Sequence, residues 1–222
     1  MTKHCFVDES GTMADQRVMT VAVVLLDGAR TAEKIHPKLT RAVFAPPKVR
    51  GLKELERWYA AQELHFTEMN ESQKLAVGSV LGAANISVMI GYCKHSIVDV
   101  AHDVRFELYR ELLKSTISKA FLLDNEFVVS IAKQGGWESY GPSLISELRT
   151  LPEQFTTGGN YRKANFLLAS PSKQGHQIAD FYASSSRNFL IADGNNAMSS
   201  PFDRVSHQVV HFEELAFKKG RV

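Results

Sequence analysis

The feature that most constrains the fold is the segment 17–26, an almost unbroken run of apolar and β-branched residues. A run of this length, closed by the turn-forming pair Asp27-Gly28, predicts a long central strand of a sheet. Residues 3–7 are also rich in β-forming side chains and are followed by Ser10-Gly11, so we expect the two segments to form a hairpin.

The rest of the chain alternates between strand-like and helix-like patterns. Apolar and β-forming segments predict further strands at 63–69, 86–93, 126–132 and 163–169. Helical periodicity separates them, most strongly between about residue 102 and residue 121. This alternation predicts an α/β fold, with a mixed sheet flanked by helices. We expect one domain over residues 1–222, with a helical or loop insertion near 30–62 and a C-terminal extension near 190–222.

Composition sets broad limits on the class of protein. The formal net charge of +2 indicates no polyanionic partner by itself, and 44% hydrophobic residues suffice for a sizeable core. The two cysteines, Cys5 and Cys93, lie in predicted strands, so we expect small buried side chains rather than a disulfide or a zinc cluster. No apolar run approaches the roughly 20 residues of a membrane span, and no targeting segment is evident. We therefore expect a cytoplasmic protein with no membrane partner, and homo-oligomer formation stays open.

Two adjacent carboxylates, Asp8 and Glu9, end the first predicted strand. Alternation along a strand places Asp8 on the same face as Phe6 and Glu9 on the opposite face. A carboxylate beside buried apolar neighbours must be paired or bound to a cation. The alternative is that Asp8, Glu9, Ser10 and Gly11 only form a turn, which favours acidic and small residues, and that they have no functional role.

Two later segments offer partners for Asp8. Glu63 and His65 share one face of the predicted strand 63–69, and Asp180 lies on a helix that begins after residue 172. On that helix, His176, Gln177 and Ser184 share the face of Asp180. Carboxylate oxygens that converge at one edge of a sheet are the ligands that Mg²⁺ or Mn²⁺ prefers. A histidine satisfied inside a polar pocket is the alternative for His65, and we expect His176 on the helix surface rather than as a base.

Segments 6–11, 63–66 and 177–183 together resemble the three signatures of a bacterial and phage family, domain of unknown function 3800. The resemblance extends from residue 6 to about residue 187 and implies a ribonuclease H-like fold. It implies a metal-dependent site lined by Asp8, Glu9, Glu63, His65, Gln177 and Asp180, with Lys173 close to the entrance and Ser10 and His176 in support. The family often has an acidic residue at the end of the strand where this chain has Ser130 and Ala132, which puts a full two-metal mechanism in doubt.

The leading hypothesis is a Mg²⁺- or Mn²⁺-dependent nuclease that hydrolyses phosphodiester bonds of RNA or DNA. Its metal ligands are expected to be Asp8, Glu9, Glu63 and Asp180, and its catalytic residues Asp8, Glu63, His65 and Asp180. Either His65 or His176 would assist proton transfer. The segment 48–62, which mixes basic and aromatic side chains, is compatible with a nucleic-acid partner, although a solvated helix or loop explains it as well.

The alternative is a catalytically inactive ribonuclease H-like module that binds nucleic acid, a nucleotide or a protein partner, which the missing acidic residue near Ser130 favours. A zinc site built from His207, His211 and Asp203 is a weaker hypothesis, because no glutamate is placed as in the metalloprotease helix motif. The sequence has neither a Gly-rich phosphate loop nor a dinucleotide fingerprint, which argues against the common nucleotide-hydrolysing and dehydrogenase classes.

Overall fold

The computed structural model describes residues 2–12, 18–48, 51–94, 101–133, 137–156, 159, 161–192 and 200–216. The strands are β1 Lys3–Ser10, β2 Val18–Leu26, β3 Ser87–Lys94, β4 Glu126–Ala132, β5 Lys163–Ala169 and β6 Val209–Glu214. The helices are α1 Ala29–Val43, α2 Leu52–Ala61, α3 Glu71–Gly82, α4 His102–Ala120, α5 Gly141–Leu148, α6 Leu151–Gln154 and α7 Gln174–Ile191. Short 3-10 helices lie at Phe66–Glu68, Glu138–Tyr140 and Ser206–Gln208.

The described strands form one mixed sheet in the order β5-β4-β1-β2-β3-β6. Strand β2 is antiparallel to both β1 and β3, whereas β1 and β4, β4 and β5, and β3 and β6 pair in parallel. Every residue of β2 is buried and the strand lies between β1 and β3, which confirms the prediction of a long central strand that forms a hairpin with β1. The predicted α/β class, a mixed sheet flanked by helices, is confirmed.

Helices pack on both faces of the sheet and enclose two apolar cores. Helices α4 and α5 cover the face that includes Cys5 and Val7, whereas α1, α3 and α7 cover the face that includes Phe6. Each fully buried apolar side chain contributes roughly 1.5–3 kcal/mol, so the two cores fix the orientation of β1 between them. Both cysteines are free and buried, as predicted, and Cys93 lies in the same core as Cys5.

The strand predicted at 63–69 is wrong. Residues 62–65 are irregular and lead into the 3-10 helix Phe66–Glu68. The backbone N–H groups of Leu64 and Phe66 donate to side chains of α7 instead of to a neighbouring strand. The apolar alternation is real, because Leu64 and Phe66 are both buried, but it packs the segment against a helix.

Within the expected C-terminal extension, residues 209–214 form strand β6, which pairs in parallel with β3. Residues 193–199 and 217–222 of that expected extension lie outside the described residues. The expected insertion near 30–62 contains helices α1 and α2, as its helical pattern predicted. Across the described ranges, no helix has the length and apolarity that crossing a membrane requires.

Candidate active site at the end of the first strand

Strand β1 carries Asp8 and Glu9 to opposite faces of the sheet at its carboxyl end. Both are largely buried, with 8% of each residue exposed. The Asp8 side chain accepts a hydrogen bond at Oδ1 from the backbone N–H of Glu9, at 2.9 Å. Gly11 then turns the chain at a φ of +89°, where an added Cβ would lie 2.0 Å from the carbonyl oxygen of Val18. Only glycine fits this turn, which explains the Ser-Gly pair that follows the two carboxylates.

Helix α7 places Asp180 against β1 and against the segment 62–65. Asp180 accepts hydrogen bonds at Oδ1 from the Ser184 hydroxyl, at 2.9 Å, and at Oδ2 from the N–H of Phe66, at 3.1 Å. Ser184 Oγ also lies 3.2 Å from Ser10 Oγ, so that these two hydroxyls connect α7 to the end of β1. The predicted helix face with Gln177, Asp180 and Ser184 therefore meets the end of the first strand.

The three carboxylates interact electrostatically. Burial raises the pKa of Asp8 well above its ordinary value, and the charge of Asp180 raises it further. Burial also raises the pKa of Glu9, with added effects from Asp8 and Asp180. For Asp180, burial raises the pKa although the N–H of Phe66, the Ser184 hydroxyl and the charge of His65 oppose the shift. The folded chain thus holds negative charges together in a region that disfavours them.

No lysine or arginine in the described ranges forms an ion pair with Asp8, Glu9 or Asp180. One oxygen of Glu9, Oε2, is buried without a hydrogen-bond partner. A carboxylate pair that lacks a cationic side chain fits a divalent cation, because Mg²⁺ binds through one or two carboxylates and keeps several waters. Asp8 and Asp180 are the residues that fit this role.

A larger preformed ligand set is not present in the part of the chain that the structure describes. No three His, Cys, Asp or Glu side chains there are grouped so that they could hold a metal ion. Alternation along the strand explains this for Glu9, which lies on the α4 side of the sheet. There, burial raises the pKa of Tyr109, and the charge of Glu9 raises it further. Electrostatic coupling between the three carboxylates extends over a longer distance than coordination does.

Glu63 and His65 lie on the segment that packs against α7. His65 Nε2 is 3.5 Å from Glu63 Oε2, and 42% and 55% of the two side chains are exposed. His65 is close enough to Asp180 for its charge to lower the pKa of that carboxyl group. The structure therefore brings His65 to Asp180, and it places Glu63 in the lining of a neighbouring cleft.

Gln177 fixes this segment to α7. Its Oε1 accepts hydrogen bonds from the N–H of Leu64, at 2.7 Å, and from His36 Nε2, at 2.8 Å, while its Nε2 donates to the carbonyl of Ser172, at 2.6 Å. All of its polar atoms are used within the protein. Gln177 is therefore a positioning residue that holds Leu64 and, two residues later, Phe66 beside Asp180.

The expectation that His176 lies on the helix surface is wrong, because His176 is fully buried. Its Nδ1 lies 3.1 Å from the carbonyl oxygen of Val7 and its Nε2 lies 3.0 Å from Ser130 Oγ. Burial lowers the pKa of His176 to about 4, so the ring is neutral at neutral pH. A carbonyl only accepts, so Nδ1 carries the proton and Nε2 accepts from the Ser130 hydroxyl. His176 holds β1, β4 and α7 together.

Sequence reasoning missed His36, which is fully buried on α1 and bonded to Gln177. A lone histidine in a weak helical pattern carries no signal of this contact. The histidines of the zinc hypothesis have separate partners, since His207 bonds the carbonyl of Gly82 and His211 bonds Glu213. Lys173 immediately precedes α7 and lines the same cleft as Glu63.

Comparisons with known proteins give structural matches of low similarity. No protein-family model matches the sequence, and no curated protein sequence matches it significantly. A chain from the PCNA:RNase HII complex of Archaeoglobus fulgidus superposes with a TM-score of 0.48 and 10% identity, over 89% of this chain and 77% of that chain. Ribonuclease H2 from Pyrococcus horikoshii OT3 superposes with a TM-score of 0.48 and 12% identity, over 93% of this chain and 84% of that chain. Both TM-scores lie below 0.5, so the fold class rests on the described sheet itself, a mixed sheet flanked by helices.

Proposed function

We propose that this protein is a divalent-cation-dependent nuclease that hydrolyses phosphodiester bonds of RNA or DNA. The single observation that carries the proposal is that buried Asp8 and half-buried Asp180 interact electrostatically, while no lysine or arginine in the described ranges forms an ion pair with either of them. We also propose that the chain is one ribonuclease H-like domain of the domain of unknown function 3800 family, which its three motifs support.

In this proposal, Asp8 and Asp180 hold Mg²⁺ or Mn²⁺. Their orientation comes from the N–H of Glu9 on Asp8 and from Ser184 and the N–H of Phe66 on Asp180. Each carboxylate oxygen keeps a second lone pair for the cation. A bound cation supplies charge neutralisation at the phosphate and a water of lowered pKa.

The remaining residues orient the site and move protons. His65 is partly exposed beside Asp180 and is the group placed to exchange a proton with solvent and substrate. Glu63 Oε2 lies 3.5 Å from His65 Nε2 and orients the imidazole. Glu9 adds buried negative charge next to Asp8, and both ring nitrogens of His176 have partners within the fold, so His176 is not proposed as a base.

The test is cleavage of labelled single- and double-stranded RNA and DNA with Mg²⁺ or Mn²⁺. We expect the wild type to cut at least one of these substrates, and Asp8→Ala and Asp180→Asn to lose about 10²-fold or more of the rate, as removal of a transition-state interaction does. Asp124→Asn is the matched control, because Asp124 Oδ1 also accepts from the next residue's N–H, at 2.7 Å, but lies elsewhere. Equal or absent cleavage by wild type and variants would contradict the proposal.

A second function has its own supporting observation. The Ser130 hydroxyl is engaged with buried His176, so this position, where a family member often has an acid, contributes no carboxylate. An inactive ribonuclease H-like module that binds nucleic acid, a nucleotide or a protein partner would show binding without cleavage in the same assay.

A further inference from the structure

A cleft of about 560 Å³ lies beside the candidate active site. Phe6 of β1 and Ser130 of β4 form part of its floor, and residues at the start of α7 form part of its wall. Phe6 precedes Asp8 by two strand residues and Gln177 precedes Asp180 by three helical residues. These spacings separate the cleft from the carboxylates by about 5–7 Å along each element, so one ligand can extend from one to the other.

The size and apolar surface of the cleft suit a flat organic ring. Small-molecule sites occupy roughly 300–1,000 Å³ and combine apolar walls with a few placed polar groups. Here the apolar surface comes from Phe6, Val128, Leu167 and Ala61. The Phe6 ring packs directly against the backbone of α7 at Gly175. A Cβ at that position would lie 2.3 Å from the ring, so no larger residue fits there without a shift.

The polar walls of the cleft offer hydrogen-bond acceptors. His36 donates from Nε2 to Gln177, so in the neutral ring Nδ1 is an acceptor, and this buried atom has no hydrogen-bond partner. The Ser130 hydroxyl donates to His176 and keeps only its lone pairs for the cleft. Glu33 is exposed at the rim and has no hydrogen-bond or ion-pair partner within the described ranges. A ligand that fits these walls carries neighbouring N–H donors.

Part of the cleft lining suits an anion. Lys173 lines the cleft immediately before α7, and the first backbone N–H groups of that helix have no partner within the helix. A helix N-terminus beside a lysine favours a phosphate group. The lining of the cleft therefore combines a lysine beside a helix N-terminus, apolar side chains and hydrogen-bond acceptors.

We propose that this cleft binds a guanine nucleotide, with the N–H groups of the base turned towards His36 and Glu33 and the phosphate at Lys173. Among the bases, guanine presents adjacent N–H donors that a carboxylate accepts in pairs. During strand cleavage, the cleft receives a guanosine next to the bond that is cut. This role in cleavage rests on the proposed function, whereas nucleotide binding can be measured without it.

Isothermal titration calorimetry of the full chain in EDTA tests the cleft apart from catalysis. The probes are GMP, AMP, CMP, UMP, guanosine and inorganic phosphate. We expect GMP to bind about tenfold or more tightly than AMP, CMP, UMP or phosphate, and guanosine to bind more weakly than GMP. Equal affinity for GMP and AMP, or no GMP binding at millimolar concentration, would overturn the assignment.

Two variants locate the binding. Ala61→Trp fills the cleft from an exposed position, and Glu33→Gln removes the carboxylate, so each should weaken GMP binding about tenfold. The matched controls Ala83→Trp and Glu153→Gln are exposed and outside the cleft, and they should leave GMP affinity within twofold. GMP affinity unchanged by both cleft variants would overturn the assignment.

A cleavage assay separates the two proposals. Both proposals are supported if the wild type cleaves with a preference for a guanosine beside the cut, and if this preference is lost in Ala61→Trp but kept in Ala83→Trp. Cleavage without any base preference overturns the cleft assignment alone. GMP binding in the cleft without cleavage of any nucleic acid leaves the cleft assignment standing and refutes the nuclease.

Discussion

Asp8 and Asp180 destabilise the folded protein when no cation is bound. Burial raises the pKa of each carboxyl group, and the charge of Asp180 raises that of Asp8 further. A carboxyl group whose pKa is higher in the folded state binds more protons there, so stability falls as pH rises from its ordinary pKa through the raised one. Above that window the cost is fully present, and a cation that binds only the folded state offsets it.

Replacing Asp8 should therefore stabilise the cation-free protein. In EDTA at pH 7.5, we expect Asp8→Asn to raise the free energy of unfolding by about 1 kcal/mol and Tm by about 2–4 °C. Asp124→Asn, with a similar local hydrogen bond, should change Tm little. Thermal unfolding followed by circular dichroism measures both, and a lower Tm for Asp8→Asn alone would refute the electrostatic argument.

His176 has the opposite dependence on pH. Its pKa is lowered to about 4 by burial, so the unfolded chain binds more protons than the folded chain between about pH 4 and the ordinary value of 6.5. Stability should then fall as pH is lowered from 7 to 5, by about 2 kcal/mol from this residue. Denaturant unfolding of wild type and His176→Asn at both pH values isolates the effect, because the variant lacks this titration. An equal pH difference in the two proteins would contradict it.

At the scale of elements, the contact between α7 and the segment 62–65 assembles the site. Two α7 side chains, Gln177 and Asp180, accept hydrogen bonds from the backbone N–H of Leu64, in that segment, and of Phe66, the first residue of the following 3-10 helix. The segment is thus positioned by a helix instead of by strand pairing. This places His65 beside Asp180.

Gln177→Ala should loosen this contact. It leaves the N–H of Leu64 and His36 Nε2 without their acceptor, which costs about 1–3 kcal/mol for a buried unpaired group. We expect lower stability and faster amide hydrogen exchange at Leu64. Gln174→Ala, on the same helix, removes only a 3.3 Å bond to the carbonyl of Ala60 and serves as the control. Unchanged exchange at Leu64 in Gln177→Ala would show that the segment is held by other contacts.

The register of β4 points to Ala132 as the position where a third carboxylate could be restored. Val7 pairs with Ile131, so Ala132 lies one step further, level with Asp8, and it alternates onto the face of Ser130. We expect Ala132→Asp to raise Mn²⁺ affinity about tenfold and to lower stability in EDTA by about 1–3 kcal/mol. Lys133→Asp, at the next, exposed residue, should do neither. A folded Ala132→Asp protein with unchanged Mn²⁺ affinity would refute this placement.

At the scale of the whole molecule, local patterns predicted β1, β2 and α4 because strong periodicity and turn residues determine them. The same patterns allowed Asp8 and Asp180 to converge at one edge of the sheet, but it was the resemblance of three motifs to a family that grouped them in one site. The patterns could not predict the burial of His176, because a helical wheel gives the angles between side chains of one helix but not which strand or helix each side chain contacts. The strand at 63–69 was wrong because apolar alternation does not distinguish pairing with a strand from packing on a helix.

Cation binding by the Asp8–Asp180 pair is the most direct test of the central claim. Titration of the full chain with Mn²⁺, followed by electron paramagnetic resonance of free Mn²⁺ without nucleic acid, measures it. We expect saturable binding by the wild type and by Asp124→Asn, and affinity weakened about tenfold or more in Asp8→Asn and Asp180→Asn. Identical Mn²⁺ binding by the wild type and both site variants would contradict the claim.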